Sequence, residues 1–374
     1  MNKLKVSILS VSLLTIMANA AIAPAISVIS THFSEVNPIY VKMLITFPAI
    51  FIIPISLMSG RLVSRFSKKS LVITGVILYL LGGFGAFFLT NFWAIFLFRG
   101  VLGVGVGLLT PLAVGLIADY YQGDERSKMM GYATSFNNLG GIIATVFAGF
   151  LSTISYRYPH LVYVLGFYVL YMAYRHLPHT EPVVKAKRSL SVKVILLGLS
   201  MASVMLVFFQ IPAHLSIYIS ELGFGSGLTS GLLISIVTFG SFAFGLIFHK
   251  VKTRLHSYTN SVGMLAMLIG NVLVYSTSSV IVIAFALLII GISLGILIPN
   301  IFLTTTLVTH DDPTFSLGVI ASFSFLGQFM SPVVIDLLSR IFNLTNVRDP
   351  FLISSVFGVV GLIVVVSIRK IKFI

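Results

Sequence analysis

Arg99-Gly-Val-Leu-Gly103-Val-Gly-Val-Gly107-Leu-Leu-Thr-Pro111 and Gly291-Ile-Ser-Leu-Gly295-Ile-Leu-Ile-Pro299 share one pattern. In both, two glycines and a proline follow each other at intervals of four, and Gly103 to Gly291 is a step of 188 residues. Further pairs keep nearly the same step. Phe136, Leu139 and Gly140 recur as Phe323, Leu326 and Gly327, and Gly131 recurs as Gly318, all at 187. Pro24 and Pro212 are 188 apart, and Gly60 and Gly245 are 185 apart, in a chain of 374 residues whose half is 187. Glycine and proline are frequent in membrane helices, so one echo carries little weight. A near-constant offset along the chain divides it into two similar halves.

Both quoted stretches lie inside apolar runs, and such runs fill the chain. Hydrophobic residues make up 57% of it and charged residues 9%, against roughly 25% charged in soluble domains. A helix crosses a bilayer with about 20 mostly apolar residues. The runs predict twelve spans, at 6–30, 39–60, 70–90, 92–118, 128–153, 159–177, 192–220, 226–249, 257–277, 279–308, 314–340 and 350–368. The fold class expected is an all-α membrane protein of two six-helix bundles, 1–177 and 192–374, joined by a polar linker at 178–191. Lys3, Lys5 and Ala18-Asn19-Ala20 imitate a cleavable signal peptide. The apolar run continues through Pro24 to Ile29, and the repeat needs this segment, so it is read as an uncleaved first span.

The net charge of +14 follows topology. Lys3, Lys5, Arg61, Arg65, Lys68, Lys69, Arg126, Lys128, Arg175, Lys185, Lys187, Arg188, Lys193, Lys250, Lys252, Arg254, Arg369, Lys370 and Lys372 all fall on one side of the predicted spans. Lys42, Arg157, Arg340 and Arg348 fall on the other, and Arg99 lies within a span. The positive-inside bias places both termini and the linker in the cytoplasm. Nucleic-acid binders gather basic residues on one polar face, and this chain does not. With no cysteine, disulfides, thiolate metal sites and cysteine nucleophiles are excluded.

The loop after span 2 reads Gly60-Arg-Leu-Val-Ser-Arg-Phe-Ser-Lys-Lys69. It resembles the loop signature of the major facilitator superfamily, Gly-x-Leu-x-Asp-Arg-x-Gly-Arg/Lys-Arg/Lys. Gly60, Leu62, Arg65, Lys68 and Lys69 match it, with Ser64 and Ser67 at its Asp and second Gly. Arg99-x-x-x-Gly103-x-Gly105 is similar to the family's intramembrane arginine motif. Asp119, Glu125, Arg126 and Gly131 are similar to its acidic-Arg-Gly loop. Gly140, Gly141 and Gly149 resemble the glycine motif of the twelve-helix drug/proton antiporter branch, without its Gly-Pro pair. Four residues before the span 1 proline, where many members carry an acid, stands Ala20.

The resemblance implies a secondary transporter working by alternating access, with residues of spans 1, 4, 7 and 10 along the solute path. Parallel six-helix repeats are a transporter plan in their own right. Candidate pathway residues are Asn19, Arg99, Gln210, His214, Asn300, Thr304, Asn137 and Gln328, with Asn137 and Gln328 open to a second reading as interhelical ties. A charge within a span costs about 2.5–3.5 kcal/mol on insertion scales, so Arg99 faces a cavity or holds partners, Asn19 among them. His214, two residues after Pro212, is read at a break in span 7, facing the cavity or bonded between helices. Gly60, Arg65, Asp119 and Arg126 form a candidate cytoplasmic latch, with Arg65 reaching Asp119; simple anchoring at the headgroups is the alternative. Asp336, with Arg340 at i+4, reads as a helix-surface pair.

No Gly-Lys pair exists for a phosphate loop, and no nucleophile–base pair or metal cluster converges within the spans. The expectation is a protein without enzymatic activity, cofactor or metal. It is read as a monomer in a bacterial plasma membrane, with a small-molecule substrate, protons and lipid as partners and no nucleic acid. Sparse in-span polarity and the lack of acids in mid-span favour amphipathic, drug-like compounds as the solute, and the resemblance to the drug/proton antiporter branch implies their efflux in exchange for protons. A carrier for one polar metabolite, or a sensor that kept the fold without transport, are the alternatives.

Overall fold

Pro24 and Pro48 mark breaks in the apolar runs, whereas Pro54, Pro111, Pro212, Pro299 and Pro332 lie within continuous helices. The computed structural model describes residues 3–179, 191–224, 227–309 and 313–370. Most of the expected linker, with Lys185, Lys187 and Arg188, lies outside the described residues. All regular structure among the described residues is helical. In chain order the α-helices are α1 Lys3–Ala20, α2 Ile26–His32, α3 Pro38–Thr46, α4 Pro48–Val63, α5 Lys68–Gly83, α6 Phe92–Tyr120 and α7 Gly123–Ser152. They continue as α8 Leu165–His176, α9 Val192–Ile219, α10 Gly227–Leu255, α11 Thr259–Ser276, α12 Val280–Val308, α13 Thr314–Ile341 and α14 Asp349–Lys370.

Nine helical stretches among the described residues are long and apolar enough to cross a membrane. One of them, Gly231–Ser276, is interrupted by the 3-10 turn His256–Tyr258, where His256 takes a φ of 47°, so α10 and α11 are separate helices. The sixth expected span is a 3-10 segment, Tyr158–Val164, leading into the short α8. The twelfth is the apolar part of α14, Asp349–Ile363.

Proline lacks the N–H that continues a helix and clashes with the preceding turn. At Pro24 the first run breaks: α1 stops at Ala20, and a 3-10 turn at Ala23–Ala25 leads into α2. Pro48 likewise opens α4 after α3 ends at Thr46. Pro212 behaves differently, because α9 runs through it unbroken to Ile219. The expected break beside His214 is therefore absent. A π-turn at Ser220–Phe224 follows instead, with Gly223 at φ 79°.

The chain forms two compact units. Unit 1 holds Met1–Gln122, Phe136–Ile195 and Thr305–Ser322; unit 2 holds Gly123–Ser135, Leu196–Thr304 and Phe323–Ile374. Within unit 1, α6 runs against both α4 and α5. A Cβ on Gly103 would come within 2.5 Å of Pro48 O, one on Gly107 within 3.0 Å of Ile52 O, and one on Gly105 within 2.6 Å of Gly75 O. Gly140 of α7 leaves no room for a side chain against Leu13 of α1. Within unit 2 the same contacts recur. Gly291 packs on Val237, Gly295 on Ser241, and Gly327 of α13 on Ala202 of α9. Close backbone approach through small residues is the usual way membrane helices associate, and here the repeat in the sequence is a repeat of those approaches.

Helices α7 and α13 each pass from one unit into the other, and both do so through a Gly-x-x-x-Ser clasp. In unit 2, Gly131 faces Gly245 of α10, and Ser135 Oγ donates to Phe242 O at 2.8 Å and to Gly131 O at 3.2 Å. In unit 1, Gly318 faces Ser56 of α4, and Ser322 Oγ donates to Ile53 O at 3.0 Å and to Gly318 O at 2.8 Å. The counterpart of Gly245 is thus Ser56 rather than Gly60. Gly60 lies instead against Phe315, whose Cα would be 2.8 Å from an added Cβ.

Candidate functional site

The polar interior of unit 1 is built around Arg99. Asn91 caps α6, its side chain accepting from Trp93 N at 2.9 Å and Ala94 N at 3.2 Å. Two turns on, Arg99 is fully buried. Its Nε donates to Leu44 O at 2.8 Å, and its Nη1 donates to Ala18 O and to the Tyr163 hydroxyl, both at 2.8 Å. Nη2 reaches Asn19 Oδ1 at 3.4 Å. The Tyr163 hydroxyl in turn donates to Ala18 O at 2.8 Å. One guanidinium therefore joins α1, α3, α6 and the 3-10 segment before α8 through oxygen dipoles, and among the described residues no carboxylate pairs with it. Arg suits this role, since its planar fork presents five donors in fixed directions.

Neither Tyr163 nor His160 stands out in the sequence, since each is an ordinary polar-tipped residue in an apolar run. His160 is 1% exposed, and its Nδ1 is 3.2 Å from Gly83 O. The rings of Tyr79 and Tyr163 meet edge to face at 5.4 Å.

The loop between α4 and α5 departs from expectation. Ser67 caps α5, accepting from Ser70 N at 3.1 Å. That cap turns Lys68 inward, where it is 4% exposed and donates to both oxygens of Asp119, at 3.1 and 2.9 Å. Arg65 is exposed. The partner of Asp119 described here is Lys68 and not Arg65. Residue type in a loop motif does not reveal which basic side chain the following helix points inward. Arg126, the remaining latch candidate, is half-buried in the first turn of α7.

Most of the other candidates tie one helix to the next. Asn137 Nδ2 donates to Ser12 O at 3.0 Å and to Thr15 Oγ1, fastening α7 to α1. Gln210 is fully buried and donates to Asn271 Oδ1 at 3.3 Å, and Asn271 donates to Met267 O at 2.9 Å. Asn300, 2% exposed, donates to Asn260 Oδ1 at 2.6 Å. Gln210 Oε1 and Asn300 Oδ1 have no donor among the described residues. Thr304 is 4% exposed and Gln328 half-buried.

His214 bridges α9 and α13. Its Nδ1 is 3.0 Å from Gln210 O, and its Nε2 is 3.1 Å from Asp336 Oδ1. Asp336 thus meets the imidazole rather than serving only its own helix as a partner for Arg340. Ser331 Oγ, on the same helix as Asp336, donates to Leu206 O at 2.6 Å. Among the described residues no group of three or more His, Asp or Glu is placed to hold a metal ion.

A protein-family profile described as Major Facilitator Superfamily matches residues 8–332. The quinolone resistance protein NorA of Staphylococcus aureus is 31% identical over 105 residues, 28% of this chain and 27% of that protein. The niacin transporter NiaP of Acinetobacter baylyi is 29% identical over 108 residues, 29% of this chain and 24% of that protein. The chain thus spans about a quarter of the length of either relative. Among solved structures, the human organic anion transporter MFSD10 (TETRAN) superposes with a TM-score of 0.81 at 13% identity, over 97% of this chain and 99% of that one. The proton:xylose symporter XylE gives 0.76 at 14% identity over 96% and 94%, and FucP in its outward conformation 0.74 at 16% over 96% and 97%. At these identities the likeness is one of fold.

Proposed function

The chain belongs to the major facilitator superfamily, and from that premise we propose that it exports amphipathic, drug-like compounds in exchange for protons. It is a multi-pass membrane transporter of a small solute, and the finer reading concerns which solute and what drives it. The observation that carries this reading is the use made of the interior polar groups. Arg99, Asn137, Gln210 and Asn300 are all engaged by neighbouring helices. Among the described residues the buried charged side chains are Lys68, Arg99 and Asp349. A path along such helices offers few fixed hydrogen bonds to a polar solute. It suits a ligand held by apolar area, since apolar burial contributes about 25 cal/mol per Å² without directional demands. The partial match to a quinolone resistance protein supports the same reading.

The moving bodies in this reading are 1–177 and 192–374, working by alternating access, with both termini cytoplasmic. The partial match to a niacin transporter favours a second reading, a carrier for one small carboxylate-bearing metabolite. Purified protein in proteoliposomes under an imposed pH gradient separates the two. Ethidium flux that rises with the gradient supports the first, and nicotinate flux without ethidium flux supports the second. Absence of gradient-dependent flux for a panel of amphipathic dyes would overturn the efflux reading.

A further inference from the structure

We propose that His214 and Asp336 form a proton-binding site, which holds one proton while α9 and α13 are tied and releases it when they part. The proposal rests on the proton-coupled reading above and assigns its proton to these two residues.

The argument is one of hydrogen counting. His214 Nδ1 is 3.0 Å from Gln210 O, and a carbonyl oxygen only accepts, so Nδ1 carries a hydrogen. Nε2 is 3.1 Å from Asp336 Oδ1, and a hydrogen bond there needs one more hydrogen between the two atoms. The pair is then an imidazolium facing a carboxylate, or a neutral imidazole facing a carboxylic acid. Both arrangements contain the same protons and sum to zero charge. Removal of the shared proton leaves a net charge of −1 and a single imidazole N–H for two acceptors, Gln210 O and Asp336 Oδ1, so one of the two bonds is given up. A ring that keeps its hydrogen for Gln210 O has none for the carboxylate, and the exposed Asp336 side chain turns to water, so the tie between the helices is lost. The side chains are placed for exchange, since His214 is 14% exposed and Asp336 62% exposed.

The surroundings single out this pair. Helices α11 (259–276) and α12 (280–308) contain no Asp, Glu, Lys, Arg or His, and Tyr275 is the titratable residue of α11. Helix α10 has no charged residue or histidine before His249, and α14 has none between Asp349 and Arg369. On α9 the titratable residues near His214 are Tyr218 and, past the helix end, Glu221; on α13, Arg340 follows Asp336 by one turn. Arg348, before α14, lies over the Tyr218 ring at 5.4 Å. Elsewhere α9 and α13 are held by contacts indifferent to pH: Gly198 on Phe323, Gly327 on Ala202, and Ser331 Oγ on Leu206 O at 2.6 Å. The His–Asp tie lies beyond that packed stretch, toward the ends of both helices. Its rupture frees those ends while the packed stretch stays closed.

The chain has no cysteine, so spin labels can be placed on Glu221→Cys and Phe342→Cys, at the ends of α9 and α13. Replacing Glu221 also removes a second carboxylate of that region from the titration. The expected result is a single short distance at pH 5.5 and a longer, broader distribution at pH 8.5. Asp336→Asn should give the pH 5.5 distribution at both pH values, because the amide donates to neutral Nε2 without an extra proton. His214→Gln should do the same, its amide donating to the carboxylate, and it serves should Asp336→Asn not fold. Identical wild-type distributions at the two pH values, or variants that shift as the wild type does, would overturn the site. In proteoliposomes with ethidium and nicotinate as probes, Asp336→Asn should lose at least tenfold in gradient-driven flux and keep downhill flux. Gradient-driven flux at the wild-type rate in Asp336→Asn also overturns the site. A pH-dependent distance abolished by Asp336→Asn, together with wild-type fluxes indifferent to the gradient, supports the proton site and refutes the proton-coupled function.

Discussion

Alanine at Gly131 should loosen the clasp that fastens α7 to α10. A Cβ there would lie 2.7 Å from Phe248 Cβ and nearer still to Gly245 O. Carbon atoms rest about 3.5–4.0 Å apart, so the two helices must part by about 1 Å. That displacement stretches the 2.8 Å bond from Ser135 Oγ to Phe242 O beyond hydrogen-bonding range. Overpacking of this kind costs about 1–3 kcal/mol and the lost bond about 0.5–1.5 kcal/mol, so the variant should be about 2–4 kcal/mol less stable. Gly318→Ala should match it, since its Cβ would lie 2.7 Å from Ser59 Oγ, nearer still to Ser56 O, and Ser322 Oγ bonds Ile53 O at 3.0 Å. Gly231→Ala is the control, having no neighbour within 4 Å of an added Cβ. Thermal unfolding in detergent reads the difference. Ser135→Ala alone should cost less, and the Gly131→Ala/Ser135→Ala double variant should be no worse than Gly131→Ala, because the bond is already broken. Should Gly131→Ala and Gly318→Ala unfold at the same temperature as Gly231→Ala, the clasp account is wrong.

Further outcomes follow from the polar interior. Lys68→Met should lower the melting temperature more than Arg65→Ala, and a double-mutant cycle with Asp119→Asn should give a coupling of about 1–2 kcal/mol for this partly buried pair; equal effects would return the latch to Arg65. Tyr163→Phe removes a bond from the Arg99 guanidinium and one to Ala18 O, and should cost about 2–4 kcal/mol, measured by the same unfolding assay. Arg99→Lys, which cannot reproduce the fork, should melt below wild type yet insert, whereas Arg99→Leu should fail to accumulate as folded protein. For topology, an impermeant thiol reagent outside should label Asn346→Cys and spare Ser189→Cys, and the reverse pattern would invert the proposed orientation.

Spans and repeat were legible because both are one-dimensional. Apolar length marks a membrane helix, and Gly103 with Gly291, or Gly140 with Gly327, repeat because each must admit a neighbouring backbone. What stayed hidden depends on pairing across long separations. Gln210 and Asn271, or His214 and Asp336, meet only after helices distant in sequence have packed. A lone Asn in an apolar run reads the same whether it serves a solute or a neighbour, so Asn137 was open to both readings and Asn300, placed on the solute path, turned out to meet Asn260. Lys68, one of the basic residues of the loop signature, could not be told from Arg65 as the partner of Asp119, because its inward direction depends on the start of α5 at the Ser67 cap, one residue before it. Pro24 and Pro212, alike in the repeat, diverge because α1 gives way to a 3-10 turn while α9 stays continuous.

Arg99 also bears on the order in which the chain is synthesised. Ala18, Asn19 and Leu44 precede Arg99 and have left the ribosome before it does, whereas Tyr163 follows 64 residues later. The guanidinium therefore enters the bilayer with three of its four partner residues already made. Retaining the first two spans beside the translocation channel would offset its insertion cost, about 2.5–3.5 kcal/mol for an isolated arginine. Only the Tyr163 hydroxyl must arrive afterwards, and it locks an arginine that is already held. Nascent chains truncated just after residue 120 should thus keep span 4 inserted, while the same truncation lacking the first span should release it.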